Sequence, residues 1–543
     1  MHTPSIMNHS IFTWLRNVRP SRKSLCVSLL ALPIFIVMAN HYFHEFTLVQ
    51  YDDSYITYRY ARNFALGDGL RFNPGDNTNS ASSLLFVLLL GIGHLITRAP
   101  IELISTTINT LSLLILVFVT SLLVLRSNNN LRGYLYASLL GLSIVSYGPL
   151  VYWTLSGMET TFFMALLAAS ILLCFHHLEN HRLYRVTWLL AILGLLSITR
   201  VEGAVCGAAL GILVVLRSVK HWKSIGSFKL VLPVLVPTGM FASQLLFYKF
   251  YYGAAIADPI HFKDKVRYYS RSTDMAWAAV KQLVLTSMRP FLFLSILGLL
   301  LLITHIIRKK ELKVDYAILP VLLVLLSAFI LRSPHSDEYR YELVLFVFFV
   351  LATALVIEQL NRARSWPQQV LGFFAVLVFA LTATNRGTSE SEQISSRTST
   401  YMYVQKARAD AGKWLEKNSP AGSRVVSADI GALSYFNPSN VFLDAPGLAN
   451  RSQLKTLLNS EDVYLSMKNQ NPEYLADTVG PDGVSAVETI LSNPLGYYVE
   501  NSAIWTSCNR LPIFSKKILK VEPLQPSSIL QIQVAKITWD QCK

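Results

Sequence analysis

Charge is scarce in this 543-residue chain: Asp, Glu, Lys and Arg make up 15% of it, against about 25% in a soluble globular domain. With 52% apolar residues, that scarcity excludes an ordinary soluble protein and points to a membrane protein. Negative charge is the scarcer sign, 33 acidic residues against 48 basic ones. A net charge of +15 would suit a nucleic-acid binder, but no basic stripe with a base-reading motif accompanies it. Lys and Arg instead collect in short loops, as they do on the cytoplasmic side of membrane proteins. No Walker loop, HExxH or Rossmann glycine pattern is present, so nothing supports a nucleotide-sugar donor. Cysteines number only five. Cys26, Cys174 and Cys206 lie in apolar segments and read as core residues. Cys508 and Cys542 both lie in the carboxyl-terminal part, where a disulfide and free thiols are both open.

The first apolar run, residues 24–42, follows Arg16, Arg19, Arg22 and Lys23. No small-residue cleavage site follows it, and it has the length of a full span. It is expected to be a retained helix with its amino end in the cytoplasm. Further apolar segments recur to about residue 383. One of them, 84–96, is about 20 Å long as a helix, short of a core of about 30 Å. If it does not cross, the basic loops near 126–132, 182–185, 217–229, 308–313 and 362–364 all fall on the amino-terminal side, as the positive-inside rule asks. That leaves about 11 spans, with 84–96 interfacial or re-entrant on the outer face. Residues 51–83, 153–159, 200–202, 251–288, 333–341 and everything after 384 then lie outside. From about 389 the chain reads as one soluble domain, with strand character at 424–436 and 529–539 and short helices between. Mixed α/β is expected there. The division is placed at 1–385 for the membrane domain and 386–543 for the outer domain.

The chemistry gathers in "YDDSYITYRYARNFALGDGL" (51–70). On a helix, Asp52, Tyr55, Arg59 and Arg62 fall within an arc of about 80°, and Asp53 lies about 100° round. One reading is structural: one acid caps the helix and the other favours its dipole. That explains one carboxylate better than two, and leaves the arginines unexplained. The other reading is catalytic. A carboxylate at the outer surface accepts a proton, and arginines hold a phosphate. Tyr55, Tyr58 and Tyr60 read as interfacial anchors, or one of them stacks on a sugar.

The stretch 51–75 resembles the first outer loop of the GT-C glycosyltransferases, above all the group containing the mycobacterial terminal arabinofuranosyltransferase of arabinogalactan. The related group that adds aminoarabinose to lipid A has a similar paired-acid start. Further resemblances follow in order: "SGMETTFF" (156–163), "TRVEG" (199–203), "YYGAAIADPIHFK" (251–263), "HSDEYRY" (335–341) and "DIGALSYFNPSNVFLDAPGLAN" (429–450). The family commonly has Pro where this chain has Val201, Thr-Asn-Pro where it has Thr78-Asn79-Ser80, and Pro-Asn-Thr where it has Ala257-Asp258-Pro259. These departures bear on sugar and acceptor rather than on fold.

The resemblance implies a polytopic GT-C fold with juxtamembrane helices in the first outer loop. It implies an inverting transferase of a bacterial inner membrane that moves a sugar from a polyprenyl-phosphate donor to an envelope glycan, lipid-linked oligosaccharide or protein. Arabinofuranose comes from the resemblance alone. Asp52 is the first choice for general base and Asp53 the second. Tyr55, Arg59 and Arg62 are expected at the donor, with Glu159, Arg200 and Glu202 from the next two motifs. His261 and Lys263, then His335, Asp337 and Arg340, complete the expected set. No cofactor is expected; a divalent metal held by His335 and Asp337 stays open but is not favoured, two ligands at this spacing being weak evidence. Two rival classes remain: a transporter or flippase of a lipid-linked sugar, and a non-catalytic glycan-binding membrane protein.

Overall fold

The apolar runs fold as helices. The computed structural model describes residues 22–43, 50–81, 83–126, 130–180, 184–219, 227–265, 288–297, 322–325, 340–492, 513–523 and 531–539, with a few isolated positions besides. Among the described residues, five helices are long and apolar enough to cross a membrane: Leu25–Tyr42, Ile101–Leu125, Val231–Tyr252, Glu342–Asn361 and Trp366–Asn418. Leu131–Val145 and Gly148–Leu155, bent by 66°, make a sixth if counted as one span. Pro149 sits in the first turn of the second half, where it starts a helix but could not continue the preceding one. Thr160–Phe175, Thr187–Thr199 and Val201–Leu216 are shorter apolar helices. So is Leu84–Thr97, whose 14 residues span about 21 Å. The expected spans at 291–307 and 317–331 lie largely outside the described residues.

The last of the long helices runs unbroken for 53 residues, Trp366–Asn418, about 80 Å. A bilayer core uses about 30 Å of that, so the apolar start of the helix and its polar end serve different surroundings. The division expected at 385 and 386 falls inside this helix, and the sheet begins a few residues after the helix ends. Its strands are β1 (Arg424–Ser427), β2 (Val441–Asp444), β3 (Tyr474–Val479), β4 (Phe514–Pro523) and β5 (Gln531–Trp539), in the order β2-β1-β3-β5-β4. β1 is parallel to β2 and β3, and β5 is antiparallel to β3 and β4. Short helices at Gly431–Tyr435, Arg451–Asn459 and Val463–Asn469 connect the parallel strands, and Ala486–Ser492 follows β3 on the way to the antiparallel pair. The expected mixed α/β arrangement is present.

The helix Asp52–Leu66 ends at Gly67, in the left-handed region at φ 92°, where Asp68 N–H donates to the carbonyl of Asn63. That turn favours glycine because a Cβ is strained there. One face of the helix does not meet lipid headgroups. Tyr55, Tyr58 and Tyr60 are fully buried in a core shared with Ala407 and Ala411 of the long helix and with Leu433 and Phe442 beyond it. The tyrosines expected as interfacial anchors are therefore packing residues.

Arg59 is likewise fully buried. Its Nε donates to the carbonyl of Phe72 (2.7 Å), Nη1 to the carbonyls of Asn437 (3.1 Å) and Ser434, and Nη2 to the Asn440 carbonyl (2.9 Å) and Asn73 Oδ1 (3.2 Å). A guanidinium can be buried only if its donors are met, and here the turn after Tyr435 meets them. Arg59→Lys keeps the charge but not the fork. It is expected to lower stability by on the order of 3 kcal/mol and to expose the 431–440 region to protease, measured by thermal unfolding and limited proteolysis of the full chain in detergent.

Candidate functional site

Five of the residues expected at the donor or base come together, from four separate segments. Asp53 lies in the first turn of Asp52–Leu66. Glu159 immediately precedes the helix Thr160–Asn180, and Arg200 caps Val201–Ser218, which carries Glu202 in its first turn. Arg340 lies just before the 3-10 turn Glu342–Leu345. Arg340 Nη1 donates to Asp53 Oδ2 at 2.8 Å, and its Nη2 stands 4.0 Å from Glu159 Oε1. Arg200 Nη1 donates to the same Glu159 oxygen at 3.0 Å, and its Nη2 to Glu202 Oε1 at 3.0 Å. The result is an alternating chain of charge: Asp53, Arg340, Glu159, Arg200, Glu202. Tyr341 lies between the two guanidinium groups, 5.6 Å from Arg340 and 5.5 Å from Arg200 at the ring centroid. Trp153 lies 6.0 Å from Arg340.

Exposure separates the members. Glu159, Arg200, Glu202 and Arg340 are all buried, whereas the Asp53 side chain is 50% exposed. Asp53 is thus the solvent-facing end of a buried ionic chain. Burial would pull the Arg200 guanidinium down, but Glu202 and Glu159 outweigh it and hold it up. Among the described residues, the buried Arg340 Nε makes no hydrogen bond.

Asp52 occupies a different environment. It is buried, and both its oxygens are taken by the C-terminal domain: Oδ2 accepts from Gly431 N–H and Oδ1 from Ala432 N–H, each at 3.0 Å. Arg408 Nη1 lies 3.7 Å from Oδ1 and pairs through its other nitrogen with Asp429. Gln405, with its amide turned so that nitrogen faces the carboxylate, donates to Oδ1 at 2.8 Å. Burial raises the Asp52 carboxyl to about 6, opposed by Arg408 and the Ala432 bond and assisted by Asp429 and Asp53. The residue ranked first for general base is therefore enclosed, and the residue ranked second is presented.

The other expected residues fall elsewhere. Arg59, as described above, spends its donors inside the protein. Arg62 donates through Nη1 to the Tyr435 carbonyl (2.5 Å) and lies 5.1 Å from that ring. Tyr55 is buried, its hydroxyl accepting from Gln50 N–H (3.1 Å). His261 is half-buried in the helix Asp258–Lys265, whose first residue is clasped by Arg451 (2.7 Å) and by the backbone of Asn79. That helix braces the segment around Asn79 against Arg451 of the sheet domain. The Lys263 side chain, His335, Asp337, Cys508 and Cys542 lie outside the described residues. No group of three or more His, Cys, Asp or Glu suited to a metal occurs among the described residues. Sequence reasoning missed Arg408 and Tyr401 in the polar half of the long helix, where no motif marks them. Asp429 and Gly431 did lie in a recognised motif, without a role.

Among solved structures, ArnT from Cupriavidus metallidurans, in a crystal structure bound to undecaprenyl phosphate, matches 94% of this chain and 97% of its own at a TM-score of 0.56 and 12% identity. The fold is similar to that of this membrane protein over nearly the whole of both chains. The archaeal oligosaccharyltransferase AglB from Archaeoglobus fulgidus, in complex with an inhibitory peptide and a dolichol-phosphate, matches 94% of this chain and 74% of its own at 0.54 and 12% identity. Arabinosyltransferase EmbB from Mycobacterium smegmatis overlaps 87% of this chain and 43% of its own at 0.41 and 12% identity, too distant to bear on the sugar. Residues 395–514 match a domain of unknown function, DUF8728. No curated protein matches the sequence.

Burial also raises Asp444 and Asp477 in the C-terminal domain, both to about 7. A carboxyl raised on folding holds its proton in the native state at a pH where the unfolded chain has lost it. Its contribution to stability is complete below the ordinary carboxylate range and is lost as pH rises through about 7. Asp444 Oδ2 accepts from Ala449 N–H (2.8 Å) while Oδ1 has no hydrogen-bond partner among the described residues, so Asp444→Asn keeps the bond and removes the buried charge. Relative to the native chain, Asp444→Asn is expected to gain melting temperature on going from pH 5 to pH 8. An equal offset at both values would contradict this.

Proposed function

We propose that the chain is an inverting glycosyltransferase that takes a sugar from a polyprenyl-phosphate donor on the outer face of a bacterial inner membrane. Its amino terminus is cytoplasmic and its C-terminal domain extracytoplasmic. The observation that carries this reading is the half-exposed Asp53 carboxylate held by a buried Arg340 at the head of an ionic chain. The fold supports it, since ArnT and AglB were captured with a lipid phosphate.

In this mechanism Asp53 takes the proton from an acceptor hydroxyl as its oxygen bonds to the anomeric carbon. The bond from that carbon to the phosphate oxygen breaks, its electron pair leaves with polyprenyl phosphate, and attack from the opposite face inverts the centre. The leaving group is already a stable anion, so it calls for positive charge rather than an acid. Arg340, whose guanidinium meets the half-exposed Asp53, is the group proposed to meet the phosphate. Glu159 and Arg200 keep that guanidinium in place from behind. No cofactor is invoked. Asp52 was the stronger candidate from sequence, but a carboxylate closed off by two amides is poorly placed to meet a hydroxyl.

Arabinofuranose is the proposed sugar, resting on the resemblance of the first outer loop, and the proposed acceptor is an envelope glycan, lipid-linked oligosaccharide or protein. A transporter would place its charges near the bilayer midplane between broken helices, whereas these charges sit at helix mouths.

Purified full-length protein is expected to transfer labelled sugar from decaprenyl- or undecaprenyl-phosphate arabinofuranose to envelope glycan extract. Asp53→Asn is expected to lower the rate by about 10²- to 10⁴-fold, and Arg340→Gln to raise the donor KM as well as lower kcat. Transfer by Asp53→Asn at the native rate would defeat the assignment of the base.

A further inference from the structure

Asp52 spends a buried carboxylate on a contact that docking does not require. The turn it grips is already held by Arg59, through the carbonyls of Ser434, Asn437 and Asn440, and by Arg62 through that of Tyr435. What the Asp52 contact adds is precision at one point. Its oxygens are each taken by one amide of the Gly431–Tyr435 helix, which stops the carboxylate from turning. Its own N–H donates to the Tyr401 hydroxyl (3.0 Å), and the Tyr401 ring stacks on Tyr51, with centroids 5.2 Å apart. Residues 51 and 52 are therefore pinned by two elements of the carboxyl-terminal half, and the next residue is Asp53.

Gly431 shows how close the contact is. Its φ is not positive, so conformational freedom does not explain a glycine there. Proximity does: a Cβ would lie 2.1 Å from the Asp52 carbonyl oxygen and 2.5 Å from its carboxyl carbon. No side chain fits at this position unless the start of the Asp52–Leu66 helix moves.

We infer that Asp52 is a positioning residue: through the Gly431 and Ala432 amides, the C-terminal domain sets the aim of Asp53 toward Arg340 and the acceptor. The inference rests on Asp53 being the base. Arg340 fixes one Asp53 oxygen, and the Asp52 clasp fixes the adjoining backbone from the sheet side. The second Asp53 oxygen is the one left to face a substrate. The C-terminal domain is then part of the catalytic apparatus without supplying a reacting atom.

The test is a double-mutant cycle on the full chain in detergent, using decaprenyl-phosphate arabinofuranose and envelope glycan extract. Gly431→Ala and Asp52→Ala are each expected to lower kcat about 100-fold, the scale of an ångström-level misplacement of a catalytic group. The donor KM and the melting temperature should stay near native, because Arg59 still docks the turn. The double variant should be no slower than either single, since both break one contact. Additive losses, or a Gly431→Ala enzyme with native kcat, would overturn the proposal. If Gly431→Ala does not fold, Asp52→Asn, which can satisfy only one of the two amides, replaces it with the same expectations. Amide exchange at Gly431 and Ala432 gives a readout independent of activity: it should accelerate in Asp52→Ala, and unchanged protection would overturn the clasp itself. Asp53→Asn is run alongside. If it transfers at the native rate, the base assignment has failed; if it is inactive and the cycle is additive, only the positioning role has.

Discussion

Two buried charges from one short helix, Asp52 and Arg59, reach into the same turn of the C-terminal domain from opposite ends. Neither belongs in an apolar interior. Each is accommodated because the turn offers what the other lacks, amide N–H groups at its start and carbonyl oxygens at its end. A short helix leaves such groups unmet at both termini, and here side chains from the first outer segment meet them. The two contacts divide the work: Arg59 docks the helix on the turn, and Asp52 fixes its first residues. Together they orient the Asp52–Leu66 helix, bury its three tyrosines against the long helix, and leave Asp53 as the carboxylate that faces out.

The ionic chain behind Asp53 follows a second constraint. Its members come from helix mouths that only the bundle brings together, so no pair is local except Arg200 and Glu202. Burying four charged side chains is costly unless they are paired, and the alternation of sign meets that requirement along the whole chain. Truncating any interior member would strand a buried charge. The exposed end escapes that cost, because water solvates the Asp53 carboxylate as it cannot the interior members.

Much of this organisation was legible in the sequence. Apolar runs gave the helices. The β-branched stretches around 424 and 531 gave two of the strands. The motifs at 156–163, 199–203 and 335–341 supplied Glu159, Arg200, Glu202 and Arg340, which do converge. The helical wheel, by contrast, misled. It placed Asp52, Tyr55, Arg59 and Arg62 on one face, which they share, but that face turned out to be the buried one. Periodicity reports which residues share a side and says nothing of what covers it. Polar residues on that side suggested solvent, when the covering surface was the backbone of a turn some 380 positions away.

The sequence alone determined that the chain is a multi-pass membrane protein with a C-terminal α/β part, and that acidic and basic residues gather at helix mouths, because hydropathy, helix length and motif order are local properties. Only the tertiary structure decided which aspartate is enclosed and which is presented. Adjacent residues on a helix point about 100° apart, and which direction meets protein and which meets solvent depends on a distant segment that no local pattern encodes.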